Sequence, residues 1–279
     1  MSDQIFSRRQ FLKTSVVAAG SMAFSRLEAL AADPYAGFKM GAQSYSLRHF
    51  DLEPCLERMQ KLGLHYVEFF DKHSPITTDA QKIADLKAKC AKYEVTPLAF
   101  GVTGFNANEA ENRRKFEFAK LLGLKSLSAN PDPNSFASLD KLVEEFGIAI
   151  AIHNHGPEDK RYGKIDQIAK AIEGHHKLIG TCVDTGHFIR SNEDPVKAVR
   201  TFGERTHGVH LKDVKTLDGG GKKFCITGLG DLDTVALFRE LKKLKFANCL
   251  SLEYEENPQD PVADMEQCLK VAREAAAKL

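Results

Sequence analysis

The feature of this sequence that most constrains its fold is a regular alternation of short apolar runs with longer amphipathic stretches. Eight runs have the composition of β-strands, and a stretch with helical spacing of apolar residues follows each one. The predicted strands are Lys39–Leu47, His65–Phe70, Thr96–Val102, Ser126–Asn130, Ile148–His155, Gly180–His187, Gly208–Asp213 and Asn248–Tyr254. Strands that alternate with helices form parallel sheets, so eight such units predict an α/β protein with one closed (β/α)₈ barrel.

An open, doubly wound sheet is the alternative arrangement for alternating strands and helices. That fold carries a glycine-rich turn after an early strand, and the motif G-x-G-x-x-G does not occur there. The chain has 279 residues, of which 43% are hydrophobic. This length and composition suit one large domain better than two small ones, and the sequence therefore favours the barrel.

The first 31 residues have the features of an export signal. The motif S-R-R-x-F-L-K contains Arg8 and Arg9, a mildly apolar stretch follows at Thr14–Phe24, and Ala29 and Ala31 are small residues at a cleavage site. This pattern resembles a bacterial twin-arginine signal peptide. An attached amphipathic helix is the weaker alternative, because the segment mixes Arg, Gly and Ser without helical periodicity.

The resemblance to a signal peptide divides the chain into two parts. Residues 1–31 are predicted to be the signal and residues 32–279 the barrel, a length close to the roughly 250 residues typical of that fold. The resemblance implies that the twin-arginine machinery exports the folded protein to the periplasm.

Charge and hydropathy exclude two classes of partner. Lys and Arg total 39 against 38 Asp and Glu, a formal net charge of +1, whereas nucleic-acid binding needs a basic excess or stripe. No apolar run reaches the roughly 18–20 residues of a spanning helix, so stable membrane insertion is not expected. Assembly as a homo-oligomer stays open.

Polar residues recur at the carboxyl ends of the last four predicted strands. Side chains of a barrel strand alternate between the interior and the helix layer, and in these strands the bulky aliphatic residues share one parity. Small residues followed by one polar residue occupy the other parity, at the end where barrel enzymes assemble their active sites. The polar residues are His153, Asp184, His210 and Glu253.

Two imidazoles and two carboxylates at one rim suit a divalent ion such as Mn²⁺, Fe²⁺, Co²⁺ or Zn²⁺. A single histidine at a strand end is more often a satisfied polar residue than a ligand. Four metal-competent residues from consecutive strands, all with inward parity, instead predict a metal site.

The motifs V-D-T-G-H, V-H-L-K-D and L-E-Y-E resemble those of the xylose isomerase-like TIM barrel superfamily, which includes the sugar phosphate isomerases and epimerases. Asp184 with His187, His210 and Glu253 match three of the family's ligand positions. The resemblance covers essentially the whole predicted barrel. It implies a metal-assisted reaction next to a sugar carbonyl, while the substrate stays open.

One position departs from this family. His153 stands where the epimerases carry a glutamate, which leaves Glu253 as the remaining carboxylate of the opposed pair that epimerases use. We therefore expect Glu253 or Lys212 to act as the base from one side, which favours isomerisation or elimination over inversion at one carbon. Lys212 could equally be a cationic clamp or a solvated lysine.

Further rim residues have weaker patterns. The predicted substrate-binding residues are Glu68, Gln43, His155 and His187. Glu68 could instead form an ion pair at the barrel mouth, and the two histidines could orient metal ligands. Asp213 is expected to brace a neighbouring ligand, and the loop Thr227–Asp231 is a weak candidate for a phosphate cradle.

These patterns favour a metal-dependent sugar isomerase or epimerase whose small-molecule carbohydrate substrate is unphosphorylated, because phosphosugars normally stay in the cytosol. A lyase that eliminates from a keto-glycoside at the same site is the first alternative. A carbohydrate-binding barrel without catalysis is the second, and a complete metal-ligand set argues against it.

The export hypothesis is testable through the arginine pair. Changing Arg8 and Arg9 together to Lys should retain the precursor in the cytoplasm, because the twin-arginine machinery reads these two side chains. Cell fractionation followed by immunoblotting measures the distribution. Normal export of the double variant, or arrest of wild-type export when the general secretory route is blocked, would contradict the assignment.

Overall fold

Eight parallel strands close into a barrel in the computed structural model, which describes residues 33–279. The barrel strands are β1 (Lys39–Gln43), β2 (Tyr66–Phe69), β3 (Thr96–Phe105), β4 (Ser126–Pro131), β5 (Ala149–His153), β6 (Ile179–Asp184), β7 (Thr206–Leu211) and, after β8 (Asp213–Thr216) and β9 (Lys222–Cys225), β10 (Cys249–Leu252). They follow the order β1-β10-β7-β6-β5-β4-β3-β2. The predicted (β/α)₈ barrel is thus confirmed.

Helices cover the outside of the barrel between successive strands. They are α1 (Leu52–Lys61), α2 (Ala80–Lys92), α3 (Glu109–Leu122), α4 (Phe136–Phe146), α5 (Ile165–Ile172), α6 (Thr185–Arg190), α7 (Pro195–Phe202), α8 (Thr234–Lys243) and α9 (Val262–Ala276). Several begin at a capping side chain: Asp79 accepts from two backbone amides of α2, and Asn108 accepts from one in α3.

The core lies between the strands and this helical layer. Ile150, Val183, Val209 and Leu250 have the parity predicted to face the helices, and all four are fully buried. In each strand, residues of one parity pack in this layer. Residues of the other parity therefore face the barrel interior, where the polar strand ends meet.

Six of the predicted strands end earlier than the sequence pattern indicated, and β1 and β6 differ most. β1 stops at Gln43, and Ser44–Leu47 forms a 3₁₀ helix instead. β6 stops at Asp184, whose carboxylate accepts the backbone N–H of His187 and caps α6. At the rim a strand loses its neighbours, so local side-chain hydrogen bonds decide the backbone path.

A hairpin after β7 was not predicted. The predicted strand Gly208–Asp213 ends at Leu211, and β8 then pairs antiparallel with β9. Its turn contains Gly219 and Gly220, both at positive φ, a conformation that glycine adopts without steric cost. The hairpin carries Phe224 to the edge of the barrel mouth, 5.4 Å from the His187 ring.

No helix among residues 33–279 is long and apolar enough to cross a membrane. The predicted signal peptide, including Arg8, Arg9 and the cleavage site after Ala31, lies outside the described residues.

Close strand contacts make Gly41 a test of the barrel packing. A Cβ atom at Gly41 would lie 2.5 Å from the carbonyl oxygen of Tyr66 and 2.9 Å from Cys249 Sγ. Gly41→Ala should therefore destabilise the protein by about 1–3 kcal/mol, because backbone atoms cannot yield cheaply. Gly104→Ala is the matched control, since no atom lies within 4 Å of its Cβ position. Equal urea midpoints for the two variants would contradict this account.

Candidate active site and metal centre

Four side chains converge at the carboxyl ends of β5, β6, β7 and β10. One ligand atom from each lies within 4.8 Å of all the others, and all four residues are buried. The group consists of His153, Asp184, His210 and Glu253, the set predicted from the strand ends. The strand register helps to explain why these side chains converge, since Asp184 pairs with His210 across β6 and β7.

The distances within this group suit a single ion. His210 Nδ1 lies 3.0 Å from His153 Nε2 and 3.0 Å from Glu253 Oε2. Asp184 Oδ2 lies 3.3 Å from His153 Nε2 and 3.5 Å from His210 Nδ1. Ligands at about 2.0–2.2 Å from a shared ion are separated by roughly 3.0–3.5 Å, so the geometry fits one divalent cation.

Unsatisfied oxygen atoms support the same interpretation. Asp184 Oδ2 and Glu253 Oε2 are buried and make no hydrogen bond of favourable angle, although Lys212 Nζ lies 3.1 Å and 2.8 Å from them. A buried carboxylate oxygen without a partner is costly. Together with two imidazole nitrogens, these atoms form a donor set that Mn²⁺, Co²⁺, Fe²⁺ or Zn²⁺ accepts.

The position of Asp184 is fixed by its neighbours. Its Oδ1 accepts the His187 backbone N–H at 2.7 Å, which leaves Oδ2 for the cluster. The Asn154 side chain donates to the Asp184 carbonyl at 2.9 Å and accepts its N–H at 3.0 Å. Asn154 was visible in the sequence only as part of I-H-N-H, and its bridging role required the tertiary structure.

Glu68 occupies a different position from the one predicted. We expected it to bind a sugar hydroxyl, but it is 1% exposed and does not line the cavity. Its Oε1 lies 3.0 Å from His210 Nε2, and its Oε2 accepts from the Ser251 hydroxyl at 2.8 Å. Glu68 is therefore placed to orient the His210 ring and to make it a better candidate ligand.

Negative charge in the cluster controls the protonation of His210. Burial alone would lower the imidazole pKa, but the carboxylates of Glu68 and Glu253 and a hydrogen bond with Asp184 outweigh burial and raise it well above its ordinary value. The same excess of negative charge would attract a divalent cation.

Carboxylates surround Lys212 and favour its charged form. Burial opposes its charge, but Asp184, Glu253 and Glu255 outweigh that effect and raise the Lys212 pKa above its ordinary value. Lys212 in turn outweighs the effect of burial on Glu253 and lowers that pKa below its usual range. A protonated ammonium group has no lone pair with which to accept a proton, so of the two functions considered for Lys212 the structure supports the cationic clamp.

Above the cluster lies a cavity of about 380 Å³. The predicted residues Gln43, His155, His187, Lys212 and Glu253 all line it. Burial lowers the pKa of His155 to about 4, with a further contribution from His153. Burial also lowers the pKa of His187 to about 3, so both imidazoles are neutral near pH 7.

Sequence reasoning missed several residues around this cavity, and three of them contact Lys212 or His187. Glu255 lines it, and its Oε1 lies 2.5 Å from Lys212 Nζ. Arg190 donates to His187 Nδ1 at 3.0 Å, and Phe224 packs edge-on against the His187 ring. Only Glu255 left a signal in the sequence, because it follows Glu253 at the same parity.

The hydrogen bonds of the Asp213 carboxylate correct two weaker expectations, one for Asp213 itself and one for the loop Thr227–Asp231. Asp213 does not brace a metal ligand; its carboxylate accepts the backbone N–H groups of Val214, Gly228, Gly230 and Leu232. The loop Thr227–Asp231 is therefore folded around Asp213. Two of the backbone amides of this loop already bind a carboxylate, so it does not form a phosphate cradle.

Comparison with known sequences indicates the same fold. The profile of the xylose isomerase-like TIM barrel family matches residues 133–275, about half of the chain. Inosose dehydratase from Clostridium botulinum is 26% identical over 140 residues, which are 45% of this chain and 46% of that enzyme. The chain thus matches about half the length of this relative.

Solved structures match over most of the chain. An uncharacterised protein from Parabacteroides distasonis is 27% identical with a TM-score of 0.66, covering 86% of this chain and 99% of that one. A 3-keto-D-glucoside 4-epimerase from E. coli has a TM-score of 0.67 at 15% identity, covering 85% and 99%. At that identity the likeness concerns the fold alone.

Glu68 offers a test of how the ligand His210 is held. Glu68→Gln should weaken divalent-metal affinity about 10–100-fold, because the neutral amide no longer orients and polarises the imidazole. Titration of Mn²⁺ or Zn²⁺ against a competing chelator measures the change. Glu57→Gln, at an exposed site on α1, is the control, and equal affinities for the two variants would contradict the role assigned to Glu68.

Proposed function

The chain belongs to the xylose isomerase-like TIM barrel family, and on this premise we propose that it is a divalent-metal-dependent enzyme of the sugar isomerase and epimerase type. It removes a proton next to the carbonyl group of an unphosphorylated sugar or sugar derivative. The observation that carries this proposal is the convergence of His153, Asp184, His210 and Glu253, with two unsatisfied carboxylate oxygens, beneath a cavity.

Those four residues would hold the ion through two nitrogen and two oxygen atoms. A divalent cation bound there supplies Lewis acidity towards a substrate carbonyl oxygen. His153 and Glu253 also line the cavity, so the substrate approaches from the side on which these two residues are accessible.

Lys212 and Glu255 are suited to proton transfer and charge stabilisation. The Lys212 ammonium group lies 2.5 Å from Glu255 and 2.8 Å from Glu253, where it can hydrogen-bond to an oxygen that gains negative charge. Glu255 is not among the four ligand residues, so its carboxylate is available to accept the proton. Glu253 is the alternative base, as the sequence predicted.

The neutral histidines serve to orient the substrate. Because Arg190 donates to His187 Nδ1, the Nε2 atom of His187 carries the hydrogen and can donate it to a sugar hydroxyl. His155 lines the same wall, and its lowered pKa keeps it uncharged near pH 7. Uncharged donors suit hydroxyl groups better than phosphate, which agrees with an unphosphorylated substrate.

Elimination from a keto-glycoside is the second candidate reaction. Three carboxylates line the cavity: Glu253 and Glu255 follow β10, and Asp71 follows β2. The β5 side offers the imidazoles of His153 and His155 instead. A base on one side can take a proton and expel a leaving group, while inversion at one carbon needs a donor on the opposite face. The name of the inosose dehydratase relative also describes an elimination.

The proposal also includes export of the protein. The twin-arginine pattern around Arg8 and Arg9 supports a periplasmic location for residues 32–279, where unphosphorylated sugars are the expected substrates. A carbohydrate-binding barrel without catalysis is less favoured, because simple sugar binding does not require buried ionisable groups within ion-pair distance of one another.

Deuterium exchange tests this function directly. Metal-loaded protein incubated with 3-keto-glucosides and free ketoses in D₂O should incorporate deuterium next to the carbonyl, observed by NMR. Asp184→Ala and His210→Ala should lose both bound metal and exchange. Lys212→Met should lower the exchange rate about 100-fold while retaining metal, and Lys61→Met on the exposed face of α1 is its control.

The products separate the two candidate reactions. Recovery of a rearranged sugar supports isomerisation or epimerisation, whereas release of the anomeric substituent with an unsaturated keto-sugar supports elimination. Metal-loaded protein that shows neither exchange nor turnover with any of these substrates would contradict the proposed function.

A further inference from the structure

One side of the catalytic cavity is apolar and accessible. Tyr45 and Val102 are 37% and 38% exposed, and they line the cavity together with Phe70. We call these three residues the apolar wall. Single exposed apolar side chains are common, but neighbouring ones inside a concave site mark a surface that contacts a ligand.

The Tyr45 ring is held in place although it is accessible. It packs edge-on against Phe70 with centroids 5.4 Å apart, and the Arg48 guanidinium lies 4.6 Å from its centroid. Arg48 is itself fixed by donating to the backbone carbonyl of Glu255 at 2.8 Å. A rigid aromatic ring loses little conformational entropy when a ligand stacks on it.

Gln43 joins the parts of the apolar wall. Its Oε1 accepts the Tyr45 backbone N–H at 3.1 Å, and its Nε2 donates to the Gly101 carbonyl, beside Val102, at 3.0 Å. The side chain is almost fully buried. Gln43, which the sequence predicts to bind substrate, lines the cavity, and these two bonds connect the end of β1 to β3.

The part of the cavity formed by the segments after β5, β6, β7 and β10 is polar. His155, His187, Lys212 and Glu255 provide hydrogen-bond donors and acceptors there, and these suit the hydroxyl and carbonyl groups of a sugar ring. The apolar wall has the charged groups of Asp71 and Arg48 beside it, and its own three side chains offer mainly carbon surface. A molecule that fills the whole cavity therefore combines a sugar ring with an apolar substituent.

We propose that the apolar wall is a subsite for the aglycone of a glycoside, so that the substrate is a sugar with an aryl or alkyl group on its anomeric oxygen. This inference rests on the proposed function, because it takes the polar side of the cavity as the sugar site. Removal of the proton then occurs on the ring, while Tyr45 and Val102 hold the aglycone.

Binding of unoxidised glucosides tests the subsite without any turnover. The probes are methyl and 4-nitrophenyl D-glucopyranosides, each in both anomeric forms, titrated calorimetrically into metal-loaded protein. In at least one anomeric form the aryl glucoside should bind about tenfold more tightly than the methyl glucoside, because stacking and apolar burial add to the sugar contacts. Tyr45→Ala should abolish this ratio without changing methyl glucoside affinity, and Tyr45→Phe should retain it.

Leu121→Ala is the matched control, since Leu121 is 40% exposed on α3 and does not line the cavity. It should leave the ratio unchanged. An aryl-to-methyl ratio below twofold in the wild type, an unchanged ratio in Tyr45→Ala, or free 4-nitrophenol binding as tightly as its glucoside would overturn the subsite. So would a failure of every glucoside to bind, while deuterium exchange into free ketoses would still support the proposed function.

Discussion

The balance of charge at the carboxyl ends of β5, β6, β7 and β10 is the constraint on which the rest of the site depends. Asp184, Glu253 and Glu68 are buried there with little solvent to stabilise their charges, and isolated buried carboxylates are strongly unfavourable. The Lys212 ammonium group and a proton on His210 offset part of that charge. A donor set of this composition and spacing can accept a divalent cation for the same electrostatic reason.

The strands and the segments that follow them contribute different parts of the site. Strand register brings the four candidate ligand residues together. Asp184 pairs with His210, His153 pairs with Cys182, and Glu253 follows β10, in which Ser251 pairs with His210. The surroundings of the substrate come mainly from segments beyond the strand ends: the 3₁₀ helix with Tyr45, the hairpin with Phe224, and the end of β10 with Glu255. Such segments can vary without disturbing the metal-ligand group.

This division accounts for a family that shares a fold but differs in substrates. A relative and a structural neighbour bear names as different as inosose dehydratase and 3-keto-D-glucoside 4-epimerase, and one barrel with different segments at its rim is a physical route to such variety. In this chain, His153 and the apolar wall are the features from which reaction type and substrate shape are inferred.

The sequence alone determined the barrel and the four convergent residues, because strand periodicity and parity are local properties that neighbouring residues encode. It could not determine where each strand ends, since Gln43 and Asp184 form their capping hydrogen bonds only at the rim. Nor could it assign Glu68, Asp213 or Lys212, whose partners lie far away along the chain. Whether a carboxylate or an ammonium group binds substrate, braces a ligand or folds a loop depends on which distant charges surround it, and only the tertiary structure decided that.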